Sequence, residues 1–205
     1  MNYFISDLHF GHENILAYDN MPYKDIMEHD VELKYKWNSV VGDDDDVYII
    51  GNLSWLSVKN TVRLLKSLKG KKHLIKGPHD HVLLREKEVR DCFVEVRDYK
   101  ELSLEGGKGI VLFYSPILFY NNAHKGWLHF HGGLRGACQE NIIEYVKGQI
   151  ADLQNYPARI VNVSATKPYM DFMPRTLEEL TGCYGNGSVK KKGGKIHDIQ
   201  SGKTA

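Results

Sequence analysis

The sequence predicts a layered α/β protein. Short apolar segments of strand length alternate with stretches of helical apolar spacing. One segment, Val47-Tyr48-Ile49-Ile50, is apolar throughout, as strands buried on both faces are. A chain of 205 residues, 42% hydrophobic and 26% charged, is long enough to bury a sizeable core without disulfides or zinc.

The elements follow in order. Tyr3-Phe4-Ile5-Ser6 reads as the first strand, followed by a polar loop from Asp7 to His12 and helical material from Glu13 to about Val41. Asp43 to Asp46 form an acidic turn before the strand at Val47; the run lacks the glycine and distal glutamate of a calcium loop, so a solvated turn is expected. Val58, Val62, Leu65 and Leu68 mark a helix closed by Gly70. A third strand, His73-Leu74-Ile75-Lys76, runs into the breaker Gly77-Pro78. Strands are expected at 92–97, 100–104, 109–114 and 127–131, with Gly106-Gly107 turning a hairpin. A helix over 142–153, a strand over 159–164 and a short closing helix over 175–180 complete the series. Residues 1–181 show no linker and are read as one domain, with 182–205 as a Gly/Lys-rich tail.

Composition narrows the function. Mean hydropathy is −0.41 and no apolar run approaches membrane-spanning length, so no membrane partner is expected. The first residues, Met1 to Asp7, lack the features of a secretory signal, and Cys92, Cys138 and Cys183 form no paired motif. A cytoplasmic protein with reduced thiols is the expectation. The net charge of +1 conceals +4 on residues 182–205 and −3 on the remainder, so the body is not a general nucleic-acid binder. Lys190 to Lys192 read as solvated.

Three polar motifs stand directly after three strands: Asp7-Leu8-His9, Gly51-Asn52 and Gly77-Pro78-His79-Asp80. Functional groups in open α/β sheets gather at such strand ends. With Gly11-His12-Glu13-Asn14-Ile15, Trp37-Asn38-Ser39-Val40-Val41, Val161-Asn162-Val163-Ser164 and Leu177-Glu178-Glu179-Leu180, they resemble the calcineurin-like metallophosphoesterases, in their small phage and bacterial branch. The resemblance covers residues 1–181 and implies a four-layer αββα sandwich. It also implies hydrolysis at two divalent ions held by DxH, GD, GNH, lone-His and GHxH motifs.

The chain departs from that pattern at five ligand positions. Asn52 stands at the bridging aspartate, Pro78 at the metal-binding asparagine and Tyr114 at the lone histidine; Gly133 and Arg135 replace the histidines of GHxH. Asparagine cannot bridge two dications as a carboxylate does, proline and glycine offer no side-chain donor, and a guanidinium repels metals. Asp7 and His9 remain as a weak site for one divalent ion, manganese or magnesium, and no resident cofactor is expected.

The same changes suit an anion-binding pocket. Arg135 can meet a phosphate bidentately, His79 keeps the position facing the phosphoryl group, and His9, His12, Asn52 and His81 lie in the same loops. Tyr114 and Trp127 offer rings for base stacking. The expected function is therefore non-catalytic binding of a nucleotide or other phosphodiester, for a phage-like chain the sequestration of a host signalling nucleotide. Arg135→Ala and His79→Ala are expected to weaken such binding at least tenfold. Two alternatives stay open: a scaffold for a partner protein, and a residual phosphodiesterase using one metal on Asp7 and His9 with His79 as acid. Arg135 can also serve only as an ion-pair partner for Asp7, and Tyr114 and Trp127 as core aromatics. His129 and His131 alternate along a strand, which fits structural residues on one face.

Overall fold

The computed structural model describes residues 1–134, 136–154 and 157–185, with side chains to residue 182. It is a mixed α/β protein with two sheets. The first strand, β1 (Asn2–Ile5), lies between β2 (Asp46–Ile50) and β9 (Arg175–Thr176); beyond β2 come β3 (Lys71–Ile75) and β4 (Glu95–Arg97). The strands β1 to β4 are parallel and β9 is antiparallel to β1. Parallel neighbours require crossovers. These are supplied by α1 (Ile15–Tyr18) with α2 (Ile26–Val40), by α3 (Val58–Ser67) and by the short α4 (Lys87–Arg90).

The second sheet has the order β5 (Tyr99–Ser103), β6 (Gly109–Phe113), β7 (Leu128–His131), β8 (Ile160–Asn162). The β5–β6 pair is the expected hairpin, turned at Gly106 and Gly107 with φ of 68° and 73°. The sheets meet through Phe4, which packs edge-on against Phe130 at 4.9 Å between ring centroids. One apolar cluster runs from Leu33 and Trp37 of α2, through Phe4, Ile49 and Leu74, to Leu112, Phe130 and Val161 of the second sheet. Beyond the second sheet lies α5 (Gly136–Gln154), of whose described side chains only Ile150 is buried. A last helix, α6 (Leu177–Gly185), follows β9 directly.

Several boundaries differ from the sequence reading, among them the strand expected over 92–97, which is confined to Glu95–Arg97. The helical stretch from Glu13 is two helices, separated at Asn20 (φ 47°) and Pro22, with Asp25 restarting the second by accepting the Glu28 N–H at 2.9 Å. The helix expected at 142–153 begins six residues earlier. The strand expected over 159–164 is confined to Ile160–Asn162. Residues 175 and 176 pair with β1 before the closing helix begins. Gly70 does take a positive φ of 83°, two residues beyond the Leu68 cap of α3. The lysine tail from residue 186, with Lys190 to Lys192, lies outside the described residues.

Candidate functional site

The carboxyl ends of β1, β2, β3, β6, β7 and β8 converge on one region. A bridge between Ser6 and Ser164 joins the two sheets there. The chain turns sharply at these ends: Asp7, His9 and Asn52 have φ of 54°, 50° and 54°, in the left-handed region that non-glycine residues rarely occupy. Such strain gathers at functional sites. Close approach of the loops depends on Gly132, where a Cβ would collide with Ser6 Oγ and stand 2.7 Å from Asp7 Oδ2.

Asp7 is the centre of the site. Its Oδ1 accepts hydrogen bonds from Asn52 Nδ2 at 3.0 Å and Tyr114 Oη at 3.2 Å. Its Oδ2 accepts from the Gly133 N–H at 3.0 Å and lies 3.0 Å from Ser6 Oγ, whose single proton also has the nearer Ile50 carbonyl, at 2.5 Å, as an acceptor. Asn52 Nδ2 also contacts the Tyr114 hydroxyl. Burial pushes the Asp7 carboxyl above its ordinary range, opposed by these hydrogen bonds. His9 Nε2 lies 3.8 Å from Asp7 Oδ1. Nearby, Asp80 fastens two loops by accepting the N–H groups of Gly77, Asn52 and Leu53 at 2.7, 3.0 and 2.9 Å. Burial raises its pKa too, against those bonds, and the Asp7 charge adds to the rise.

This donor set does not fit a two-metal centre. Both Asp7 oxygens are engaged by protein donors, and two of those donors, Asn52 and Tyr114, stand at positions the resemblance assigns to ligands. A metal ion on Asp7 would have to displace hydrogen bonds that a buried carboxylate needs. Among the described residues no group of three or more His, Cys, Asp or Glu side chains is arranged to hold a metal.

Above Asp7 opens a cleft of about 310 Å³, bounded by His9, Tyr18, Tyr114, Gly136, Ser164 and Lys167 among others. Lys167 reaches Glu140 of α5 in an ion pair, and the first residue of α5 forms part of the wall. The structure thus brings Asp7, His9 and Tyr114 to one cleft, with Asn52 buried behind them. His12 and His79 do not line it; with His9 they surround Trp55, at ring centroid distances of 4.4, 5.1 and 5.0 Å. His81 faces a separate depression beyond Tyr114, where its Nδ1 donates to the Pro78 carbonyl at 2.8 Å.

Trp127 is not at the cleft. It stands at the opposite end of the second sheet, packed on Gly109 and donating to the Gly107 carbonyl at 2.9 Å. It is a core aromatic because it immediately precedes β7, which reaches the cleft only at its other end. Arg135 lies outside the described residues. Sequence reasoning missed Ser6, Trp55, Asp80 and Lys167. Asp80 alone carried a signal, as the last residue of the third strand-end motif.

No family profile matches the chain. An uncharacterized protein of Methanocaldococcus jannaschii is 33% identical over 132 residues, 63% of this chain and 66% of that protein. The gene 66 protein of Mycobacterium phage L5 is 42% identical over 81 residues, 38% of this chain and 39% of that protein. The matched stretches thus span just under two thirds of one curated relative and about two fifths of the other. A crystal structure of a protein of unknown function from Aquifex aeolicus superposes with a TM-score of 0.64 and 25% identity, covering 89% of this chain and 98% of that one.

Proposed function

We propose that this chain has a metallophosphoesterase-like, four-layer αββα architecture that has exchanged catalysis for binding, and that it holds a nucleotide or other phosphate-bearing ligand above Asp7. The observation that carries the reading is the engagement of both Asp7 oxygens by Asn52, Tyr114 and Gly133 at the floor of a polar cleft. A carboxylate so engaged supports no metal-activated water, yet the cleft keeps features suited to an anion. The amino end of the 19-residue helix α5 forms part of its wall, where the helix dipole favours negative charge. Lys167 adds an ammonium that can turn from Glu140 to a phosphate, and Ser164 and Thr166 add hydroxyls. Host-nucleotide sequestration belongs to this proposal as its biological use.

Isothermal titration of the full chain with pyrophosphate and the ribonucleoside monophosphates tests the reading. Binding should be measurable without metal, and Lys167→Ala should weaken it at least tenfold; unchanged affinity in that variant sinks the proposal. Mn²⁺-dependent turnover of bis-p-nitrophenyl phosphate that Asp7→Ala abolishes would return the protein to the hydrolases.

A further inference from the structure

Behind the Lys167–Glu140 pair, between α5 and the outer face of the second sheet, lies a second cavity of about 150 Å³. By the volume of liquid water it has room for about five molecules, enough for a single ring system. It shares Leu134, Glu140 and Lys167 with the main cleft, so the two adjoin. Its walls include the apolar side chains of Ile143 and Ile160.

Two buried polar side chains line it. His131 and Asn162 are direct partners across the parallel β7–β8 pair, so they stand side by side on one face. They are 1% and 8% exposed. Asn162 Oδ1 accepts the Ser164 N–H at 2.9 Å, which fixes the amide orientation; its Nδ2 is buried with no hydrogen-bond partner among the described residues. An amide donor left unmet in a buried site is costly. His131 Nδ1 donates to the Gly132 carbonyl at 2.8 Å, leaving Nε2 as the ring's acceptor. Burial also lowers the His131 pKa to about 3, so the ring is neutral at physiological pH.

We infer that this cavity is a nucleobase pocket, with Asn162 Nδ2 donating to a ring or carbonyl acceptor and His131 Nε2 accepting from the neighbouring N–H of the same base edge. All common bases carry such an adjacent acceptor and donor, and the aliphatic walls suit a flat heteroaromatic ring. The inference rests on the phosphate-binding reading for the ligand's other end: the base enters beneath α5 while its phosphate lies in the main cleft beside Lys167.

The test titrates the full chain with the four ribonucleoside monophosphates, their nucleosides and ribose 5-phosphate. The tightest nucleotide should bind at least tenfold better than ribose 5-phosphate. Asn162→Asp, which turns the donor into an acceptor, should erase that advantage while ribose 5-phosphate binding stays as it was. Ile143→Trp fills the cavity from α5 without touching Asn162 and should do the same, so the test survives if Asn162→Asp fails to fold. Equal affinity for nucleotides and ribose 5-phosphate, or an advantage that persists in a folded variant, overturns the pocket and leaves the phosphate reading standing. Nucleoside binding lost in the variants, with none for ribose 5-phosphate, upholds the pocket and overturns the phosphate reading. No binding by any of these compounds overturns both.

Discussion

At Asp7 a buried carboxylate is held by donors from distant parts of the chain, and two of them, Tyr114 and Asn52, make separate predictions. Tyr114→Phe removes one hydrogen bond to Oδ1 and one contact to Asn52. It should cost about 1–2 kcal/mol in urea unfolding, because the carboxylate keeps Asn52 and Gly133 as donors. Asn52→Asp replaces a donor 3.0 Å from Asp7 with a second buried carboxylate, and should cost roughly 3–5 kcal/mol without metal. If Mn²⁺ restores that loss, the restored carboxylate suffices to rebuild a metal centre, contrary to the donor argument. His131 sets a pH dependence. Its folded pKa of about 3 lies below the ordinary 6.5, so the unfolded chain binds the extra proton, and stability should fall as pH drops from 6.5 toward 3. Asp7 and Asp80, raised by burial, act in the opposite sense above 3.8. Comparing wild type with His131→Gln isolates the histidine contribution, and parallel stability curves would refute it. Of this site, Asp7, His9 and Asn52 were readable from strand-end spacing, and Tyr114 only through the family resemblance. Ser6 and Lys167 were not, since a serine or lysine beside a strand is ordinary until the second sheet arrives beside it.

Among the elements, α5 stands apart. Nineteen residues of helix bury only Ile150, while Tyr145 and Leu153 are 68% and 84% exposed. Helices owe most of their stability to a packed face, so α5 should open more readily than the sheets. Hydrogen exchange should show its amides exchanging well before those of β1, β2 and β3; equal protection would contradict this. The strands were foreseeable because buried parallel strands are continuous apolar runs bounded by glycine or acidic turns. The helices were harder. The break at Asn20 comes from a single left-handed residue, and the two residues of β9 are too few to show any period. The amino half of α5 lacks an apolar stripe because it packs on little, so its start was invisible to periodicity.

At the scale of the whole molecule, the main apolar core spans both sheets, with Phe4 and Phe130 at the contact between them, and a smaller cluster around Trp127 lies apart. Phe130→Ala should cost about 3–5 kcal/mol. Circular dichroism and tryptophan fluorescence should unfold together, since Trp37 reports on the first sheet and Trp127 on the second; separated transitions would show that the sheets unfold independently. The arrangement at Asp7 also has a consequence in time. Its partners Asn52, Tyr114 and Gly133 lie 45, 107 and 126 residues away along the chain. Contacts of such separation carry the loop-closure entropy of long segments before they return any energy. The cleft is therefore expected to be completed among the last steps of refolding, and ligand capture to lag behind the return of secondary structure.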